Sequence, residues 1–180
     1  DDLYDPTLTL IYLPHLDYCL QKFGQNFKSI ADDLKEIDEV VAGLVSYYQK
    51  KNARIILLSE YGITNVDQPI HINRILRENN LLQVRVERGL ELLDAGASRA
   101  FAVADHQVAH VYVNDVSVMG QVKEILQQVN GVELVLDRSQ QSGYHIDHER
   151  SGDFVLLADQ KRWFTYYFWL DDAKAPDYAR

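Results

Sequence analysis

The sequence predicts an α/β protein, with a mostly parallel sheet flanked by helices and a small antiparallel subdomain. Three observations carry that expectation. Two short β-prone apolar runs, residues 8–14 and 53–58, flank a long segment whose apolar residues recur at steps of three and four, the pattern of a parallel βαβ unit. Between about 82 and 136, short apolar runs alternate with turn residues and a single helical segment, which suits antiparallel pairing. Hydrophobic residues fill 47% of the 180 positions and charged residues 25%. That is an ordinary globular balance, able to bury a core and without the bias of a disordered chain. No repeat or linker divides the sequence, so one domain over 1–180 is expected, with an inserted subdomain at about 82–136.

Each element has its own signal. "LTLIYLP" (8–14) reads as a buried strand closed by proline and opening into a loop. From Phe27 to about Lys50, Ile30, Leu34, Ile37, Val41, Leu44, Val45 and Tyr48 mark one helix face, with Ser29 as the expected N-cap. "ARIILL" (53–58) is the second strand, ending in Ser-Glu-Tyr-Gly. "PIHINRILRENN" (69–80) predicts a short helix, "LLQVRVE" (81–87) a strand, and "RGLELLDAG" (88–96) a turn followed by a strand. "AFAVA" and "VAHVYV" predict two strands joined near Asp105 and His106. Residues 116–129 predict a helix with Val118, Val122, Ile125, Leu126 and Val129 on one face and Asn114 or Asp115 as its cap. "GVELVLD" (131–137) and "GDFVLLAD" (152–159) are further strands on either side of a polar loop. Six aromatics crowd residues 162–170, a pattern of packing rather than of base stacking.

Charge and composition narrow the function. Eighteen Lys and Arg against 27 Asp and Glu give a formal net charge of −9, which opposes a general grip on nucleic acid. The single Cys19 leaves no disulfide framework and no thiolate cluster. No apolar run approaches the roughly 18–20 residues that span a bilayer, so neither membrane nor nucleic acid is expected as a partner, and a cytoplasmic location is expected. A homo-oligomer is compatible with the aromatic tail. There is no G-x-S-x-G elbow, no phosphate loop and no G-x-G-x-x-G turn.

In parallel α/β sheets, ligands collect outside the carboxyl ends of strands. The first such end offers His15, Asp17 and Gln21; the second offers Ser59, Glu60 and Tyr61. Carboxylate and imidazole from two strand ends are the donors of a divalent-metal site that needs no thiolate. The same residues equally serve to satisfy loop backbone, and spacing alone does not separate the two. His106 and His110 stand four apart, but between strand-like flanks they would lie about 13 Å apart, which opposes a helical zinc pair. The loop at 143–153 carries His145, Asp147, His148, Glu149, Arg150 and Asp153, either lining a cleft or forming a solvated loop.

"YLPHLDYCLQKFGQN" and "LLSEYGI", with "SRAFAVADHQVAHVYV" and "WFTYYFWLDDAKAPDYAR", resemble the type I phosphodiesterase/nucleotide pyrophosphatase family of the alkaline phosphatase superfamily. The closer likeness is to a bacterial, nucleotide pyrophosphatase-like branch. The resemblance implies a partial alkaline phosphatase-like fold and a hydrolase of phosphodiester or pyrophosphate bonds. It also implies divalent metal, usually zinc and alternatively Mn or Mg, around a threonine or serine nucleophile, with a small phosphate ester or nucleotide as substrate. By position, Asp17 matches the family's first aspartate, and Glu60 stands where it has aspartate. Gln21 and Tyr61 stand where it has histidines, so His15 becomes the candidate to replace a missing imidazole.

The implied metal ligands are therefore Asp17, Glu60 and His15. Tyr61, Gln21, His106 and His148 are expected as substrate-binding residues or as partners of the ligands. No residue here matches the nucleophile, which the resemblance places upstream. The chain is accordingly expected to be the C-terminal part of a larger catalytic domain and inactive alone. The alternative is a noncatalytic binding or assembly domain on the same fold; a related transferase or mutase shares the same sheet.

Overall fold

The computed structural model describes residue 4 and residues 6–179, so the ends of the expected 1–180 span lie outside the described residues. The chain divides into two compact units, Asp1–Asn65 and Val66–Arg180. Among the described residues, no helix is long and apolar enough to cross a membrane.

In the first unit, helix α1 spans His15–Phe23 and helix α2 spans Ala31–Lys50. α1 occupies the stretch expected to be a loop. Leu16, Cys19, Leu20 and Phe23 recur at helical spacing behind Pro14, and this short amphipathic stripe, with Cys19 buried, outweighs the loop signal. Gly24 ends the helix at φ 62°, its N–H bonding Leu20 O at 2.8 Å. Its missing side chain also admits Asn65, whose Oδ1 would lie 2.2 Å from any Cβ there and accepts from Gln25 N at 3.0 Å. α2 begins one residue later than expected, with Ile30 rather than Ser29 at its cap and no side-chain cap bond.

The two apolar runs expected as strands, 8–14 and 53–58, have no ladder partner among the described residues. Leu10 is 86% exposed and Leu58 76%. The alternate residues Ile11, Leu13, Ile55 and Leu57 face the apolar stripe of α2 across a cavity of about 600 Å³. β-prone side chains favour an extended backbone, but a strand exists only when its N–H and C=O groups find a neighbour.

The second unit holds eight strands. β1 (Gln68–Ile70) leads into helix α3 (Ile72–Glu78). β2 (Gln83–Glu87) and β3 (Leu90–Asp94) form a hairpin whose two loop residues, Arg88 and Gly89, both have positive φ, as the strand twist demands of a two-residue turn. β4 (Ala100–Asp105) and β5 (Val108–Val113) follow, then helix α4 (Met119–Gln127), β6 (Val132–Asp137), the short helix α5 (Arg138–Gln141), β7 (Phe154–Ala158) and β8 (Arg162–Phe164). Asp115 caps the turn before α4 by accepting from Ser117 N.

The α/β class holds, with one correction of proportion. Parallel pairing among the described residues is confined to β1 with β8, whereas β4-β5-β7-β6 form a four-stranded antiparallel sheet. The antiparallel part also runs past 136, because β7 inserts between β5 and β6. Ile72 and Leu76 of α3 and Val122 and Leu126 of α4 pack with Ala102, Val111, Phe154 and Leu156 of the sheet. β4 is an edge strand, and buried Asn73 covers that edge: its amide donates to Ala102 O at 2.8 Å and accepts from Ala102 N at 2.7 Å. The aromatic tail does pack, with Phe164, Phe168 and Trp169 buried in the same core.

Candidate functional site

In the first unit the helical turn of α1 sets Asp17 and Gln21 on one face, four residues apart. Gln21 Nε2 donates to Asp17 Oδ1 at 3.0 Å. Tyr61, from the segment after the second apolar run, donates its hydroxyl to the same oxygen at 2.8 Å. Ser59 Oγ donates to Tyr61 O at 2.8 Å and closes the turn that carries the phenol. The bond to Asp17, then burial and the charge of Asp17, push the Tyr61 pKa up to about 12. Tyr61 is therefore a neutral phenol and a hydrogen-bond donor at neutral pH.

Glu60 is exposed, and its charge adds to the upward pressure on the Tyr61 phenol. His15 turns elsewhere: its Nε2 lies 3.8 Å from Glu36 Oε1, and its Nδ1 is buried without a partner. Among the described residues, no three of His, Cys, Asp and Glu converge on one point. The structure thus brings together Asp17, Gln21 and Tyr61 and leaves His15 oriented toward α2.

His106 and His148 belong to the second unit. His106 sits in the β4–β5 turn at φ 54°, with Nε2 3.6 Å from Asp105 and its carbonyl accepting from Phe164 N at 2.7 Å. His148 Nδ1 accepts from Arg150 N at 3.2 Å, and its carbonyl accepts from Arg138 at 2.9 Å. His110 Nδ1 accepts from Gly152 N at 3.0 Å.

One cluster escaped the sequence reading. His71, just before α3, meets Thr165 Oγ1 at 2.7 Å and stacks on Tyr167 at 5.6 Å. Burial, then the charge of Arg74, hold its imidazole below the usual histidine range. Arg74 lies over Tyr167 and Trp169 and pairs with Asp172 at 2.8 Å. The two residues share a cavity of about 690 Å³ with the end of α4. "PIHINR" announced only a helix, because its partners lie more than ninety residues on.

The family model described as Type I phosphodiesterase / nucleotide pyrophosphatase matches residues 1–179. No curated protein matches the sequence. Among solved structures, phosphonoacetate hydrolase from Sinorhizobium meliloti 1021 in complex with phosphonoformate matches at a TM-score of 0.39 and 19% identity, covering 56% of this chain and 24% of that one. The same protein in complex with phosphonoacetate matches at 0.38 and 18%, covering 63% and 25%. The chain therefore spans about a quarter of the length of these neighbours.

Proposed function

The chain belongs to the type I phosphodiesterase / nucleotide pyrophosphatase family, and from that membership we propose that the whole protein is a metal-dependent hydrolase of phosphodiester or pyrophosphate bonds in nucleotide-like substrates. The observation that carries this reading within the chain is the convergence of Tyr61 and Gln21 on the Asp17 carboxylate. A carboxylate gathered with two donors from separate segments is a built feature rather than a solvated side chain.

The donors present fit part of a divalent ion's shell. Both hydrogen bonds to Asp17 fall on Oδ1, which leaves Oδ2 open, and Glu60 offers a second exposed carboxylate. The orphaned Nδ1 of His15 is a buried nitrogen in need of a partner. Asp17, Glu60 and His15 would hold the ion, zinc or alternatively Mn or Mg, together with groups beyond them. When bound, such an ion polarises the phosphoryl group and stabilises developing charge on its oxygens. The chain's own part is to orient Asp17 and to keep a neutral donor, Tyr61, beside it. No nucleophile is assigned within these residues, and the activity belongs to the whole protein.

The test is Asp17→Ala and Glu60→Ala in the full-length protein. Each lowers bound metal and cuts turnover of a chromogenic phosphodiester by on the order of 100-fold. Unchanged metal content and unchanged turnover in both variants would sink the assignment. A second reading, a noncatalytic binding or assembly domain, draws on Gln21 and Tyr61 standing where the family has histidines; a metal-free, inactive wild type favours it.

A further inference from the structure

Both hydrogen bonds to Asp17 end on one oxygen, and they come from independent parts of the first unit. Gln21 lies one turn along the same helix, so its bond alone moves with the carboxylate. Tyr61 arrives from 44 residues away and fixes Oδ1 from outside the helix. Its own carbonyl is held by Ser59. A carboxylate gripped on one oxygen from two directions cannot turn freely about its last bond, and its other oxygen is left to face a ligand. Gln21 and Tyr61 each present Asp17 with hydrogen rather than a lone pair, so neither competes for a cation while these bonds stand.

We propose that Tyr61 and Gln21 are positioning residues that saturate Oδ1 of Asp17, so that Asp17 engages its ligand through Oδ2 alone. This rests on the reading that Asp17 belongs to a metal-dependent phosphoryl site. It goes further in assigning the two residues that replace histidines to orientation, not ligation, and in making Asp17 a one-oxygen ligand. Partners that orient a ligand in this way typically control about 10–100-fold of metal affinity or activity.

The experiment compares wild type, Tyr61→Phe and Gln21→Met in the full-length protein, with Mn²⁺ as the probe. Mn²⁺ affinity is measured by calorimetry, and kcat and KM on a chromogenic phosphodiester. Each variant is expected to weaken Mn²⁺ about tenfold and to lower kcat with KM held within about twofold. Unchanged Mn²⁺ affinity in both variants overturns the proposal. Tighter Mn²⁺ binding in Tyr61→Phe overturns it too, because the phenol would then be a competitor of the ion. If the wild type neither binds Mn²⁺ nor turns over, the functional reading has failed, and the positioning is read by NMR of the 180-residue chain. There the Gln21 side-chain amide and the Tyr61 hydroxyl resonances must both move in Asp17→Asn; resonances that stay in place refute the proposal.

Discussion

Arg77 and Glu91 show how one buried pair ties helix to hairpin. The guanidinium holds both carboxylate oxygens, at 2.5 and 2.9 Å, and Glu91 is 6% exposed. Arg77→Met strands that charge in the core and is expected to cost about 3 kcal/mol. Urea unfolding at pH 7 measures it, followed by the fluorescence of Trp163 and Trp169, both in the second unit. The hydrogen bond from Arg77 also holds the Glu91 carboxyl below the usual carboxylate range. A depressed carboxylate contributes stability above its unfolded value of about 4.3 and loses it as pH falls through the folded value. Stability of the second unit should therefore decline below about pH 5, and more gently in Glu91→Gln. An identical acid slope in that variant contradicts the assignment. At this scale the sequence was least informative. Asp17 and Tyr61 were visible as candidates, but their bond spans 44 residues, and nothing local announces that Tyr61 donates where a histidine would ligate. His71 and Thr165 were invisible for the same reason.

Secondary structure in the second unit was largely legible, because there periodicity and turn chemistry agree with packing. α4 buries Val122 and Leu126, as the step of three and four requires. Leu126→Ala is expected to cost about 3 kcal/mol, read by the same tryptophan signal. Gly152 was read only as part of a strand, yet a Cβ there would lie 2.7 Å from Val111 N and O and Phe154 O. Those are backbone atoms of paired strands, so Gly152→Ala must spread β5 from β7. A loss of about 1–3 kcal/mol follows, and hydrogen exchange at Val111 should accelerate; full protection there would contradict it. In the first unit the failures have one physical cause. Residues 8–14 and 53–58 carry strand propensity, but a strand is a property of two chains of backbone, and propensity does not supply the second. α1 was missed because Pro14 was taken as a stop when it stands at a helix start.

Taken over the whole molecule, the two units differ in how well they fill themselves. The second has a continuous core from β1 to Ala175, whereas the first buries only Cys19 and Ile30 among its apolar residues and leaves Leu8, Leu10, Ile56, Leu57 and Leu58 more than 70% exposed. Contiguous apolar surface of this kind marks an interaction face or an aggregation liability. The 180-residue chain should bind a hydrophobic dye, and Leu10→Lys with Ile56→Lys should reduce the signal by roughly half. An undiminished signal would place the dye elsewhere. The family was readable from "YLPHLDY" and "SEYGI" because those segments carry chemistry rather than propensity; the metal arrangement was not, since Gln21 and Tyr61 depart from the pattern where it matters. The most direct test of the account is metal analysis of the full-length protein by mass spectrometry, paired with turnover of a chromogenic phosphodiester with and without chelator. Bound divalent metal and chelator-sensitive hydrolysis are predicted. A metal-free protein without hydrolysis would contradict the hydrolase reading and leave the fold to a binding or assembly role.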